Sequence, residues 1–141
     1  MQRADWILGR RQELAASYDQ LLAEIDWLQT PQVPENCVHG YQAYVCLFRP
    51  DDVTVENTPR LHEQRNLVMA RLEERGIATR QGTHAPVLSG YYAGKYELRA
   101  EQFPGAYAGD RLTLGLPLYP QMTEADQDRV VTELAQAFVS V

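Results

Sequence analysis

Lysine is almost missing from this sequence of 141 residues: of its 13 basic residues, 12 are arginine and one is Lys95. Lys95 stands in the stretch Ala93-Gly94-Lys95-Tyr96, where an ordinary surface lysine is expected. Net positive charge is missing too. A formal charge of -6 argues against nucleic acid as a partner, because phosphate binding needs concentrated Lys and Arg. Long apolar runs are absent: the longest, Ala43 to Phe48, is far short of the roughly 20 residues that cross a bilayer, so no membrane partner is expected. The opening Met1-Gln2-Arg3-Ala4-Asp5-Trp6 has no apolar stretch ahead of its charges, which makes the cytoplasm the expected compartment. Cysteine is limited to Cys37 and Cys46, which fits reduced thiols better than a disulfide framework. With His39 they form a C-x-H pattern and a distant third ligand, which matches no standard zinc spacing. No metal site is expected, and the nucleophile and phosphate-loop glycine patterns are absent as well.

What is present is the composition of one globular domain, 45% hydrophobic and 23% charged. From Arg3 to Leu28 the residues Ile7, Leu14, Tyr18, Leu21, Ile25 and Leu28 recur at helical spacing, which predicts a long amphipathic helix that packs on the rest of the protein. Pro31 and Pro34 end it. Tyr41 to Arg49 is rich in β-branched and aromatic residues and closes on Pro50-Asp51-Asp52, so a strand is expected. Thr58 as N-cap, Pro59, and then Leu61, Val68, Met69 and Leu72 up to Gly76 predict a helix. Ile77 to Thr83 is a second expected strand and Leu112 to Leu118 a third. Between them the tyrosines Tyr91, Tyr92, Tyr96 and Tyr107 lie in what reads as short helical turns and loops. Thr123 to Asp126 resembles a capping box before a helix lined by Val130, Val131, Leu134, Ala137 and Phe138. The fold class is α/β or α+β, with strand directions open.

The densest polar cluster is Thr79-Arg80-Gln81-Gly82-Thr83-His84-Ala85-Pro86. Arginine offers a fork for phosphate or carboxylate, threonine and glutamine offer neutral hydrogen bonds, and histidine can titrate or donate. A plain polar loop is the alternative.

Four stretches carry a family resemblance: R-R-Q-E-L-A-A-S-Y-D-Q-L-L (Arg10–Leu22), H-G-Y-Q-A-Y-V (His39–Val45), G-I-A-T-R-Q-G-T-H-A-P-V (Gly76–Val87) followed by Tyr91-Tyr92, and L-P-L-Y-P-Q-M-T-E-A-D-Q-D-R-V-V (Leu116–Val131). In this order they resemble the C-terminal small domain of the DegT/StrS-type nucleotide-sugar aminotransferases. The resemblance implies the small domain of a fold-type I enzyme: a short, mostly three-stranded sheet with long N-terminal, middle and C-terminal helices. Residues 1–141 would be that domain, with 1–30 as a helix leading in from a missing large domain and 41–141 as the α/β core. It also implies pyridoxal 5'-phosphate (PLP) as the parent family's cofactor, a nucleotide-linked keto sugar as substrate, and a homodimer. The family's imine lysine lies upstream of these motifs, so Lys95 is not its counterpart. No catalytic residue and no cofactor are expected on this chain alone, whose partner would be the large domain or a full-length homologue. Arg80, Thr83 and His84 match the segment that approaches the sugar nucleotide and are the candidate substrate contacts. Many relatives carry a second histidine where Val87-Leu88 stand here. Tyr44, Leu116 to Pro120 and the C-terminal helix read as scaffold. The alternative is a non-catalytic sugar-nucleotide-binding or partner-binding protein that keeps this fold.

Overall fold

The structure, a computed structural model, describes residues 3–139. The elements are α1 (Ala4–Leu21), β1 (Leu28–Gln29), β2 (Tyr44–Phe48), α2 (Thr58–Glu74), α3 (Gly90–Tyr96), α4 (Pro104–Leu112), β3 (Thr113–Leu116) and α5 (Glu124–Val139). The sheet runs β1-β2-β3 and both pairings are antiparallel. Its register places Tyr44 opposite Leu116 and Leu28 opposite Phe48.

Alternation along β2 buries Tyr44, Cys46 and Phe48 and leaves Val45 and Leu47 half-buried. The buried set joins Leu14, Tyr18 and Leu22 from the first helical segment, Leu61, Val68 and Leu72 of α2, and Leu134 and Ala137 of α5 in one core. The α+β expectation and the three helices that frame the sheet are thus borne out. The α5 cap matches the sequence pattern. Thr123 donates its amide to Asp126 Oδ2 (2.9 Å), and the Asp126 amide donates to Thr123 Oγ1 (3.2 Å). At the end of α2, Gly76 adopts φ +75°, and the Ile77 amide returns to the Leu72 carbonyl at 2.8 Å.

Three expectations change. The first helix ends at Leu21, short of Leu28 and of residue 30. Beyond it the amides of Ala23, Ile25 and Leu28 bond to carbonyls three residues back. Those tight turns keep the three-residue apolar spacing that reads as helix, while Leu28 becomes the start of β1. The buried face is also rotated, since Leu22 is buried and Ile7 is exposed. The N-cap of α2 moves to Asn57, whose Oδ1 accepts the Thr54 amide while Thr58 lies within the helix. The expected strand Ile77–Thr83 contracts to one bridge, Arg80 to Gly115, and the third strand is β1. The next rung would pair Ala78 with Pro117, which has no N–H to give. The Pro117 carbonyl is already taken by the Tyr18 hydroxyl at 2.9 Å. On the other side, Gly82 donates its amide to Thr113 Oγ1 (3.1 Å) instead of a strand carbonyl.

The core holds three weak acids. Burial pushes the Cys46 thiol from 9.0 up to about 12. Burial, then for Tyr44 a hydrogen bond to the Asp19 carboxylate, raises the Tyr18 and Tyr44 phenols above 10.0. The unfolded chain releases these protons at their ordinary values, whereas the folded chain retains them. Their stabilising contribution is therefore complete below about pH 9 and is lost as pH rises toward 12. Thermal melts should show a midpoint that falls across this window, with a shallower fall in Tyr44→Phe. A Tyr44→Phe profile parallel to the parent's would remove Tyr44 from this account.

Candidate functional site

Three of the four motif stretches converge beside the sheet. Arg10 donates to the carbonyls of Met122 (2.9 Å) and Pro120 (3.4 Å). Arg11 donates to those of Tyr41 (2.7 Å) and Gln42 (2.6 Å), and Gln12 to that of His39 (3.1 Å). The arginines at the start of the first motif thus staple α1 to the entry of β2 and to the turn before α5. Arg11 and the His39 ring, which accepts the Tyr41 amide at 3.0 Å, hold Tyr41 at φ +43°, a conformation that costs a non-glycine residue about 1–2 kcal/mol.

The segment after α2 is pinned at three points. Arg80 exchanges both backbone bonds with Gly115 (2.7 and 3.3 Å). Gly82 lies so close to the sheet that a Cβ there would sit 2.2 Å from Val45 Cγ1. Ala85 donates its amide to Asp110 Oδ2 at 2.8 Å in a buried bond. Between the last two points the chain arches outward with Thr83 and His84 exposed. Gln81 closes the arch by donating to the Thr83 carbonyl (2.7 Å) and to His84 Nδ1 (3.2 Å).

Beneath Asp110, α4 is held by α2. Arg65, 2% exposed, donates through Nε (3.0 Å) and Nη2 (2.6 Å) to the Arg111 carbonyl. His62 Nδ1 donates to the same oxygen at 2.7 Å. Burial pulls the Arg65 guanidinium below its usual value, while the Asp110 carboxylate pulls the other way.

A cleft of about 730 Å³ opens where the 77–80 segment parts from the end of β3. Arg80 lines it, together with Gln42, Tyr119, Met122 and Arg129. Thr83 and His84 do not line it, so the structure brings these two together on the arch and places Arg80 at the cleft beside it. Leu116 to Tyr119, read from sequence as scaffold, are also cleft wall. Arg129 was not legible as a site residue: it lies 49 positions from Arg80, on the polar side of a helix, and only packing joins them. Tyr44 is fully buried, in keeping with its scaffold reading. Lys95 is on exposed α3, with Nζ 3.2 Å from the Tyr91 hydroxyl and 5.4 Å from the Tyr91 and Tyr96 ring centres. It is not among the residues lining the cleft.

The family model for the DegT/DnrJ/EryC1/StrS aminotransferases matches residues 1–135. The chain belongs to this family. Helicobacter pylori PseC, an aminotransferase involved in the biosynthesis of pseudoaminic acid, shares the fold, with a TM-score of 0.82 at 14% identity over 99% of this chain and 35% of PseC. The aminotransferase TlmJ from Streptoalloteichus hindustanus gives 0.76 at 25% identity over 99% of this chain and 34% of TlmJ. DesV from S. venezuelae, solved in complex with a ketimine intermediate, gives 0.74 at 26% identity over 94% of this chain and 32% of DesV. The chain spans about a third of the length of these proteins. It is the family's C-terminal small-domain segment, and PLP is the cofactor of the parent family. Among the described residues, no helix is long and apolar enough to cross a membrane.

Proposed function

We propose that this chain supplies the small-domain wall of the substrate cleft in a PLP-dependent aminotransferase that acts on nucleotide-linked keto sugars for amino-sugar and polysaccharide synthesis. The observation that carries this reading is the pinned arch in a chain of aminotransferase family: two exposed hydrogen-bonding side chains, Thr83 and His84, stand over a rigid base with Arg80 beside them. PLP, when bound in such an enzyme, acts as the electron sink. Its residues here do different work: Arg80 holds an anionic group, and Thr83 and His84 orient sugar hydroxyls.

Lys95, exposed and set among tyrosines, does not hold the cofactor. On this reading the chain alone binds no PLP and does not transaminate. It works with the large domain of a family-length polypeptide or a full-length homologue, in a cytoplasmic homodimer. The exposed Trp6, Ile7 and Leu8 at the start of α1, and Tyr91 and Tyr92 on α3, give it apolar surface to dock there. That same surface favours the second reading, a non-catalytic partner-binding protein. Transamination regained on supplying a family large domain separates the two.

PLP added to the purified chain should give no imine absorbance band. A band that disappears in Lys95→Ala would overturn the assignment. Calorimetry with UDP-N-acetylglucosamine should show binding weakened several-fold by Thr83→Ala and His84→Ala, as expected when hydrogen bonds worth roughly 1 kcal/mol each are lost. Affinity indifferent to both would remove the arch from substrate contact.

A further inference from the structure

The cleft beside the arch has the makings of a ligand site in its own right. Its floor is core: Ile77, Leu116, Met122 and Val130 line it and belong to the buried hydrophobic cluster. Arg80 comes from the extended segment and Arg129 from α5, and among the described residues neither forms an ion pair. Arg129 spends one nitrogen, Nη2, on the Arg75 carbonyl at 2.8 Å. The carboxylate in the wall, Asp126, is engaged by the amide and hydroxyl of Thr123 (2.9 and 2.7 Å) and held below its usual value first by those bonds and then by the charge of Arg129, which it offsets in part. The cleft thus keeps a net positive wall above an apolar floor, with the half-exposed Tyr119 ring at its side. About 730 Å³ falls within the roughly 300–1,000 Å³ usual for small-molecule sites.

We propose that this cleft binds a small ligand bearing a phosphate or carboxylate oxyanion on an apolar or aromatic body. Arg80, from the extended segment, and Arg129, from α5, take the oxyanion. A guanidinium fork matches both oxyanions bidentately, while the floor and Tyr119 bury the body. The opening exists because Pro117 stops the ladder that would otherwise zip residues 77–80 onto β3. The site stands on the cavity and not on the sugar-nucleotide reading. It shares Arg80 with that reading but leaves Thr83 and His84 outside.

The test is calorimetry on the purified chain at low salt with three probes: UDP, phenylacetate, and inorganic pyrophosphate as an anionic head without a body. One-site binding of UDP alone identifies a phosphate ligand, and of phenylacetate alone a carboxylate. Either should exceed pyrophosphate or be matched by it only in part, since the head alone forgoes the floor. Arg129→Ala should weaken binding by about tenfold or more, the worth of a hydrogen bond to a charged group. Arg129→Lys should recover part of the loss. Asp126→Asn, which keeps an acceptor for Thr123, should tighten binding. Thr83→Ala with His84→Ala should leave it unchanged, so failure here and failure of the arch reading are separate results. Unchanged thermal midpoints for the Arg129 variants exclude misfolding as the cause. Binding of none of the probes, or binding indifferent to both Arg80→Ala and Arg129→Ala, overturns the proposal.

Discussion

Gly82→Ala should lower the thermal midpoint and loosen the arch at once. The added Cβ would meet Val45 Cγ1 at 2.2 Å and Thr113 Cβ at 3.0 Å. Neither neighbour is the free end of a flexible chain, because both are β-branched and sit in the sheet. Overpacking of this kind costs about 1–3 kcal/mol, and relief by lifting the segment would sacrifice the 3.1 Å bond from the Gly82 amide to Thr113 Oγ1. The expected result is a lower midpoint together with weaker binding of any ligand that uses Arg80, Thr83 or His84. Val45→Ala removes the methyl group in the way, so the double variant should be less destabilised than the sum of the singles. A Gly82→Ala protein with the parent's midpoint would mean that this segment does not lie on Val45.

Trp27→Ala should cost more. The indole stacks on Phe138 with centroids 4.3 Å apart and meets Phe48 edge-on at 5.6 Å. It thereby ties the turn after α1 to β2 and α5. Removing a buried aromatic of this size costs about 3–5 kcal/mol, a large share of the roughly 5–15 kcal/mol that holds a domain together. Urea denaturation should show that loss in the midpoint. Fluorescence gives an independent reading, since the other tryptophan, Trp6, is exposed: the blue-shifted emission of the folded protein should vanish with Trp27. A loss below about 1 kcal/mol, typical of an average substitution, would contradict the stack.

Trp27 also accounts for where the first helix ends. Residues spaced three and four apart read as a helical stripe, yet three-residue turns satisfy the same spacing. The choice between them is made by a tryptophan with a ring to bury and by a strand, β2, that has a free edge for Leu28 and Gln29. The segment Ile77–Thr83 failed in the opposite direction. Its composition suits a strand, but its neighbour in space is Pro117, nearly forty positions on, and no local pattern reports that a partner lacks its donor. Between Ser89 and Asp110 the reading of short helical turns holds, because α3 buries none of its residues and α4 only its last turn, so neither has a full apolar stripe to display.

The candidate site divides along the same line. Arg80, Thr83 and His84 were legible because one short polar stretch with a glycine carries them all. Asp110, which anchors the arch, and Arg129, which faces the cleft, lie on helices where a charged residue looks like any solvated one. By itself the sequence determined the family, through four ordered motifs, and the α+β class, through apolar spacings that local backbone geometry must obey. The tertiary structure decided the identity of the third strand, the opening of the cleft and which arginines line it. Those depend on which distant residues compete for one sheet edge, and only the folded chain brings the competitors together.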